Sequence, residues 1–368
     1  MHVVLVQAQP HVAPSMRRMA QALLRYLPVS CELRYVSETP PGALHYRLPG
    51  AALHAWYVLM YSRYLQRLAS RHPPGDVIHL IDHSEAFLLP ALRARLKVTY
   101  CHDLIPLVEE GVYSHLLSRW IGRWLYRNSV RDLVSADGVV ACSHATAQDA
   151  KRLLGVKPER LRVVYPGVDS DFFVPLPEAI RRQRRDRFRL RSHEVAVLHV
   201  GSNAPYKNVP TILRALAHMR ENGMALRWFK VGEPLSAPLQ RLARRLGIDE
   251  CVHYESDVDD ERLRELYQIS DVLLFPSLRE GFGLPVLEAL ACGTPAVIAD
   301  VPALNEWAGK VCPSAPPYDA PALCEKVREC IEESRSPAAR HRLREFAVQY
   351  DWRRVASQIV EAYREWEQ

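Results

Sequence analysis

Two carboxylates eight positions apart, Glu280 and Glu288, bracket the stretch "EGFGLPVLE", in which Gly281 and Gly283 precede a proline and an apolar run. Glycine lets backbone N–H groups approach an anion closely, and a helix start adds about half a positive charge. Pro285 suits the first helical turn, where its missing N–H would have had no partner. Gly293 falls where a helix begun there would close. The stretch reads as a phosphate cradle without a lysine of its own. A carboxylate beside a phosphate is repelled unless it accepts hydrogen bonds from hydroxyls, and sugar and ribose hydroxyls are the natural donors. The plainer reading makes Glu280 a loop charge and Glu288 a helix-start charge favoured by the dipole. On these residues alone the plainer reading would prevail.

A cradle of this kind needs a buried strand before it and a helix after it, and the chain supplies that alternation twice. Apolar runs at His2–Gln7, Val77–Ile81, Lys97–Cys101 and Gly138–Ala141 alternate with amphipathic stretches at Ser15–Tyr26, Leu53–Ala69 and Ser114–Val134. The rhythm restarts with strands expected at Val195–Val200, Leu226–Val231 and Val272–Phe275 and helices at Val209–Glu221 and Pro285–Ala291. At 368 residues the chain exceeds a single ordinary core. We therefore expect an α/β fold of two doubly wound domains. Residues 1–168, joined by a terminal helix over 352–368, make the first, and 169–351 make the second. The proline-rich "VVYPGVDSDFFVPLPEAI" supplies the linker. The basic run "RRQRRDRFRLR" beyond it is expected to be a solvated helix rather than a nucleic-acid surface.

Composition narrows the class. Hydrophobic residues are 48% and charged residues 24%, which excludes a disordered or fibrous chain. The net charge of +6 is uneven: residues 1–170 carry +7 and the rest −1. Only seven of the 48 basic residues are lysine. Arginine pairs bidentately with phosphate, so the excess suits an anionic surface or substrate as well as plain solubility. The eight cysteines form no C-x-x-C pair and read as free thiols of a reducing compartment. No cleavable leader and no apolar run of spanning length is evident, so we expect a cytoplasmic protein, free or peripheral at the inner face of the membrane. No G-x-G-x-x-G follows an expected strand, which argues against a nicotinamide oxidoreductase.

Three other clusters bear on chemistry. His79, Asp82, His83, His102 and Asp103 lie at strand ends, but their spacing matches no metal-ligand pattern, and no metal site is expected. Asp169-Ser170-Asp171 and Asp257-Val258-Asp259 are better explained as turns and helix caps than as metal ligands. "SRWIGRWLYRNSVRDL" spaces Arg119, Arg123, Arg127 and Arg131 four apart beside Trp120 and Trp124. That stripe fits a helix lying on an anionic membrane, or tryptophans packed inward under solvated arginines.

The segment "SDVLLFPSLREGFGLPVLEALACGTPAVIAD" resembles the E-x7-E motif and flanks of the retaining glycosyltransferases of family 4. The resemblance implies the GT-B fold, two facing Rossmann-like domains with a cleft between them. It implies that Glu280 lies near the donor sugar hydroxyls and that Glu288 holds the ribose. The backbone of Phe282, Gly283 and Leu284, with Val286 beyond, would face the sugar and pyrophosphate. "VLHVGSNAPYKNVPTILRAL" is similar to the first strand–loop–helix of the family's donor domain. There Gly201, Ser202 and Asn203 would line the donor, Lys207 would grip the diphosphate and Asn208 would cap the helix. Val258 would meet the base through its backbone. "VTYCHDLIPL" resembles the family's H-D-x-x-P stretch, where His102 would contact the donor sugar. The terminal "YDW" resembles the family's return to the first domain.

Two departures stand out. The family usually pairs the lysine with an arginine, and this chain has Ser202 and Tyr206 at the two usual places; Arg279 is the expected replacement, with Mg²⁺ carried by the donor as the alternative. The first loop, "AQPHVAPSMRR", has Pro10 and Pro14 and none of the family's glycines. The resemblance implies retaining transfer of a hexose, of mannose or glucose type, from a nucleoside-diphosphate sugar to a hydroxyl of a glycan or lipid-linked acceptor. No resident cofactor and no nucleic-acid partner are expected. Alternatives are a sugar-nucleotide epimerase or hydrolase of the same fold, or a non-catalytic partner subunit.

Overall fold

The computed structural model describes residues 1–7, 14–36, 62–71, 75–109 and 116–368. The chain divides into two compact units: Met1–Gly167 with Trp352–Gln368, and Val168–Asp351.

In the first unit six strands form one parallel sheet: β1 (His2–Gln7), β2 (Ser30–Tyr35), β3 (Gly75–Leu80), β4 (Ala94–Cys101), β5 (Gly138–Ala141) and β6 (Leu161–Val163), in the order β2-β1-β3-β4-β5-β6. Val3 to Val6 and Val139 to Ala141 are buried throughout, as strands covered on both faces must be. Strand order reverses between β1 and β3, and in open α/β sheets ligands bind beyond the strand ends at such a point. Residues 8–13 of the first loop lie outside the described residues, as do 53–61 of the expected second helix. Helix α1 (Pro14–Tyr26) begins one residue earlier than expected. Helices α2 (Ser62–Ala69), α3 (Leu116–Val130) and the short α4 (His144–Asp149) follow.

The terminal helix closes this unit, and two glycines admit it. A Cβ on Gly138 would lie 2.1 Å from the Trp366 ring, and one on Gly167 would lie 2.7 Å from Trp352. Tyr363 is fully buried, with its hydroxyl 2.5 Å from His79 Nδ1.

The second unit repeats the plan with β7 (Val195–Val200), β8 (Leu226–Val231), β9 (Val252–Glu255), β10 (Val272–Phe275), β11 (Ala296–Ala299) and β12 (Ser314–Ala315). The order is β12-β11-β10-β7-β8-β9, all neighbours parallel, with the reversal between β7 and β10. Helices are α5 (Glu178–Arg187), α6 (Val209–Glu221), α7 (Ala237–Arg245), α8 (Asp260–Ile269), α9 (Leu284–Ala291), α10 (Ala320–Ser334) and α11 (Pro337–Ala347), and the returning helix of the first unit is α12 (Trp352–Trp366).

One expectation fails here. The basic run is helical, but it is not simply solvated. Arg181 is buried and donates to the carbonyls of Gln268, Ile269 and Ser270 and to Asp271 Oδ1 at 2.8 Å. Arg185 meets the other Asp271 oxygen at 3.0 Å, and the Ala196 N–H donates to that oxygen at 2.8 Å. The charges that looked like an external surface clamp α5 to the end of α8 and the starts of β7 and β10. The two aspartate pairs behave as expected: Asp259 caps α8 by accepting from the Arg262 N–H, and Asp169 precedes a 3-10 turn. All eight cysteines are free thiols, six buried and two half-buried.

Candidate functional site

The reversal point of the second sheet gathers most of the singled-out residues. After β7 the chain runs through Gly201, Ser202 and Asn203 into a 3-10 turn at Pro205–Lys207. After β10 it runs through Leu278, Arg279 and Glu280 to Gly283 and α9. The Leu278 N–H donates to the Tyr206 carbonyl at 2.7 Å, which ties the two loops together. Across that tie Lys207 Nζ lies 2.6 Å from Glu280 Oε1, with side chains only 14% and 9% exposed. The Phe275 ring supports the ammonium, its centroid 5.1 Å away. Asn208 stands at the N-cap position of α6 in the left-handed conformation, but its side chain makes no cap bond. The amide instead donates to the carbonyls of Pro276 and Pro317, and so fixes the turn that carries Lys207.

Gly283 has φ +97°, and a Cβ there would lie 2.5 Å from Leu304 Cδ2. Only glycine satisfies both constraints. Phe282 is buried, stacked on Trp307 with ring centroids 4.5 Å apart, and its carbonyl accepts from the indole N–H at 3.0 Å. This pins the chain entering α9, with Leu284 and Pro285 opening the helix. Gly293 closes it at φ +75°, its N–H donating to the Leu290 carbonyl.

Some expected contacts are altered. Val286 is fully buried behind Gly283, and its N–H donates to the Gly283 carbonyl at 2.9 Å, so its side chain packs rather than binds. Glu288 is 7% exposed and accepts from the Tyr267 hydroxyl at 2.7 Å. Asn203 is tied to the loop after β8: its N–H donates to Glu233 and its amide to the Pro234 carbonyl. Ser202 Oγ accepts from the Ala204 N–H. Arg279 is half-buried and already engaged by its neighbours. Val258 is half-buried in the turn between β9 and α8.

Three residues at this point escaped the sequence reading. Lys230, near the end of β8, is fully buried and donates to the Gly201 carbonyl at 2.5 Å. His199 is fully buried; its Nδ1 donates to the Leu274 carbonyl and its Nε2 has no partner. Burial, then Lys230, pushes its pKa down to about 3, so the imidazole is neutral. Gly232 has φ +100°, and a Cβ there would meet the Gly201 carbonyl oxygen at 2.8 Å. A charged residue inside the apolar run "LRWFKV" was the available signal.

In the first unit the histidines stand at the ends of β3 and β4. His102 Nε2 donates to the Ile81 carbonyl at 3.0 Å, leaving Nδ1 as the acceptor of the ring. Burial and then His83 push its pKa down. The His102 N–H points at His83 Nδ1, and His83 Nε2 donates to the Tyr126 hydroxyl at 3.0 Å. Each ring is thus held by a named partner. On α3, Trp120 is 78% and Trp124 54% exposed, and Arg127 is exposed beside them, whereas Leu125, Tyr126 and Val130 face the core. Arg123 is half-buried; the side chain of Arg119 lies outside the described residues. The tryptophans therefore face outward. No described helix is long and apolar enough to cross a membrane.

These elements have known counterparts. A family model described as "Glycosyl transferases group 1" matches residues 181–349, and one described as "Glycosyltransferase Family 4" matches residues 16–172. The D-inositol 3-phosphate glycosyltransferase 2 of Catenulispora acidiphila is 38% identical over 177 residues, 45% of this chain and 41% of that protein. The MMP alpha-(1->4)-mannosyltransferase of Mycolicibacterium hassiacum is 32% identical over 255 residues, 67% of this chain and 58% of that protein. The chain thus spans about half the length of the curated relatives it matches. Among solved structures, Anabaena HepE in complex with UDP-glucose superposes with a TM-score of 0.72 at 19% identity, covering 99% of both chains. With a family model on each unit and the GT-B architecture along its length, the chain belongs to the group 1 glycosyltransferases.

Proposed function

We propose that this protein transfers a hexose, of mannose or glucose type, from a nucleoside-diphosphate sugar to a hydroxyl of a glycan or lipid-linked acceptor, with retention at the anomeric carbon. The observation that carries this reading is the Lys207–Glu280 pair at 2.6 Å, set between the reversal point of the sheet and the Gly283 entry to α9. A diphosphate leaving group needs positive charge that is in place before the bond breaks. Lys207 supplies a full charge and the start of α9 a partial one. Glu280 accepts sugar hydroxyls, and Glu288, oriented by Tyr267, accepts the ribose. The leaving phosphate takes the acceptor proton, so no side-chain nucleophile is needed. His102 Nδ1 is a neutral acceptor suited to a sugar hydroxyl. Mg²⁺ would enter as a counter-ion of the donor. The curated relatives named above act on inositol phosphate or as a mannosyltransferase, and HepE holds UDP-glucose, which supports a phosphorylated or glycan acceptor and a nucleotide-sugar donor.

The exposed Trp120 and Trp124 with Arg127 on a +7 half-chain favour a lipid-linked acceptor at an anionic membrane. Radiolabelled transfer to lipid and glycan acceptors tests the whole reading. Lys207→Ala and Glu280→Ala should each lower it at least about a hundredfold, the usual cost of one preorganised electrostatic group. Unchanged rates in both variants would sink it. Trp120→Ala with Trp124→Ala should abolish co-sedimentation with phosphatidylglycerol vesicles while soluble-acceptor activity persists; retained sedimentation would remove the membrane from the scheme.

A further inference from the structure

Lys230 has an environment that its fold does not require. Its side chain is fully buried, and its ammonium donates to two carbonyls, Gly201 at 2.5 Å and Val231 at 3.3 Å. Among the described residues no carboxylate forms an ion pair with it, and Glu233 acts on it only from further away. A buried ammonium without a counter-ion is costly, and a lysine used only for packing could be replaced by methionine at a gain. The groups around it are mixed in sign. His199 pairs with Lys230 across β7 and β8, and the neighbouring charged and titratable groups are Lys207, Glu233 and, across the other strand pair, Tyr254. Lys207 is already matched by Glu280.

These groups converge on one peptide. The Cβ position of Gly201 lies 3.4 Å from His199 Nε2, a buried ring nitrogen with no partner, and 3.6 Å from the stem of Lys207. The Gly201 carbonyl is held by Lys230 Nζ, and its N–H donates to the Val231 carbonyl at 3.1 Å. Gly232 leaves the room for that approach. A buried cation with no direct ion-pair partner and an unfilled ring nitrogen therefore sit directly behind the loop that leads to Lys207.

We propose that Lys230 is a positioning residue of the donor site, which fixes the Gly201 peptide and supplies a second positive charge whose counter-ion is the donor diphosphate. This rests on the nucleotide-sugar reading above and adds to it a group that the E-x7-E segment does not contain. It also supplies from behind the loop a second cation that Ser202 and Tyr206 do not provide.

The proposal has a signature that a structural lysine lacks. Burial lowers the pKa of Lys230 to about 8, against the opposing pull of Glu233. A diphosphate beside it raises that value again. Nucleoside diphosphate binding should therefore take up a proton at pH 9, where the free protein has lost it, and take up almost none at pH 7. The affinity should fall about tenfold between those two pH values.

Calorimetry with UDP and GDP, in EDTA and in buffers of differing ionisation enthalpy, measures both quantities. Lys230→Met should weaken the better diphosphate at least about tenfold at pH 7, the effect of one unit charge at about 10 Å and an effective dielectric of 20. It should also abolish the proton uptake and leave the matching nucleoside unaffected. Lys230→Arg should restore affinity without the pH dependence. Wild-type binding without proton uptake at pH 9 overturns the proposal even if the methionine variant fails to fold. So does a methionine variant that binds within twofold of wild type, or one that loses nucleoside and diphosphate equally; the donor reading then survives. If the wild-type protein binds neither diphosphate, the donor reading falls and this proposal falls with it.

Discussion

Replacing Glu280 by glutamine should separate two roles that the structure superimposes on one carboxylate. Lys207 and Glu280 stand 2.6 Å apart, and opposite unit charges at that distance attract by about 6 kcal/mol at an effective dielectric of 20. Desolvation cancels part of this, and breaking such a nearly buried pair typically costs about 3–5 kcal/mol. In the free protein, then, the carboxylate occupies the ammonium that the diphosphate needs. A diphosphate oxygen taken up by Lys207 would lie about 5 Å from the carboxylate, a repulsion of about 3 kcal/mol at the same dielectric. Water entering with the ligand screens much of that, leaving about 1 kcal/mol, or about a fivefold effect. Glu280→Gln should therefore bind the free nucleoside diphosphate about fivefold more tightly than wild type. Transfer from the intact sugar nucleotide should still fall at least about a hundredfold, because the hydroxyl acceptor is weakened. Calorimetry with the diphosphate and a radiolabelled transfer assay on the same preparation measure the two quantities. If Glu280→Gln weakens diphosphate binding as much as Lys207→Met does, the carboxylate organises the site rather than competing for the lysine, and the reasoning fails.

Three further outcomes follow from the geometry. Gly283→Ala combines φ +97° with a Cβ 2.5 Å from Leu304 and should cost about 2–4 kcal/mol in urea unfolding while weakening nucleotide binding; an unchanged midpoint would show that the turn relaxes freely. Asp271→Asn leaves Arg181 buried without its carboxylate and should cost about 3–5 kcal/mol, read as a lowered thermal midpoint of the second unit. Burial, then His102, depresses the pKa of His79 to about 3, below the ordinary unfolded value near 6.5; its contribution to stability is therefore full above pH 6.5 and lost as pH falls toward 3, at up to about 1.4 kcal/mol per pH unit. His79→Phe should flatten the acid limb of the stability profile by that slope, and an unchanged limb would refute the assignment.

Periodicity and motif carried the architecture a long way. The strands at His2–Gln7, Gly138–Ala141, Val195–Val200, Leu226–Val231 and Val272–Phe275 are legible because parallel strands covered on both faces read as largely apolar runs. The helix after Gly283 is legible because glycine and proline punctuate it. Strand β12 escaped notice because two residues carry no period, and α11 because its arginines mask a narrow apolar stripe. The basic run of α5 misled for a related reason. Sequence records the sign of a charge but not its partner, and the partner of Arg181 is ninety positions away at Asp271.

The same limit explains what the motif could and could not supply. A linear motif captures residues that one loop places together, and the Glu280–Gly283 segment is such a loop. Lys207 joined it only through the likeness of a second segment to the same family. Lys230 lies on a different strand and reaches the site through a carbonyl, so no local spacing records it. Its one trace is a lysine inside "LRWFKV", where the neighbouring Trp228, Phe229 and Val231 are buried and a charge has no stabilising role. An ionisable residue in a buried strand whose carboxyl end meets a glycine loop is thus a stronger pointer than Arg279, although Arg279 is adjacent to Glu280 in sequence. The second charge of this site should be sought behind the loop, on β8, rather than beside Glu280.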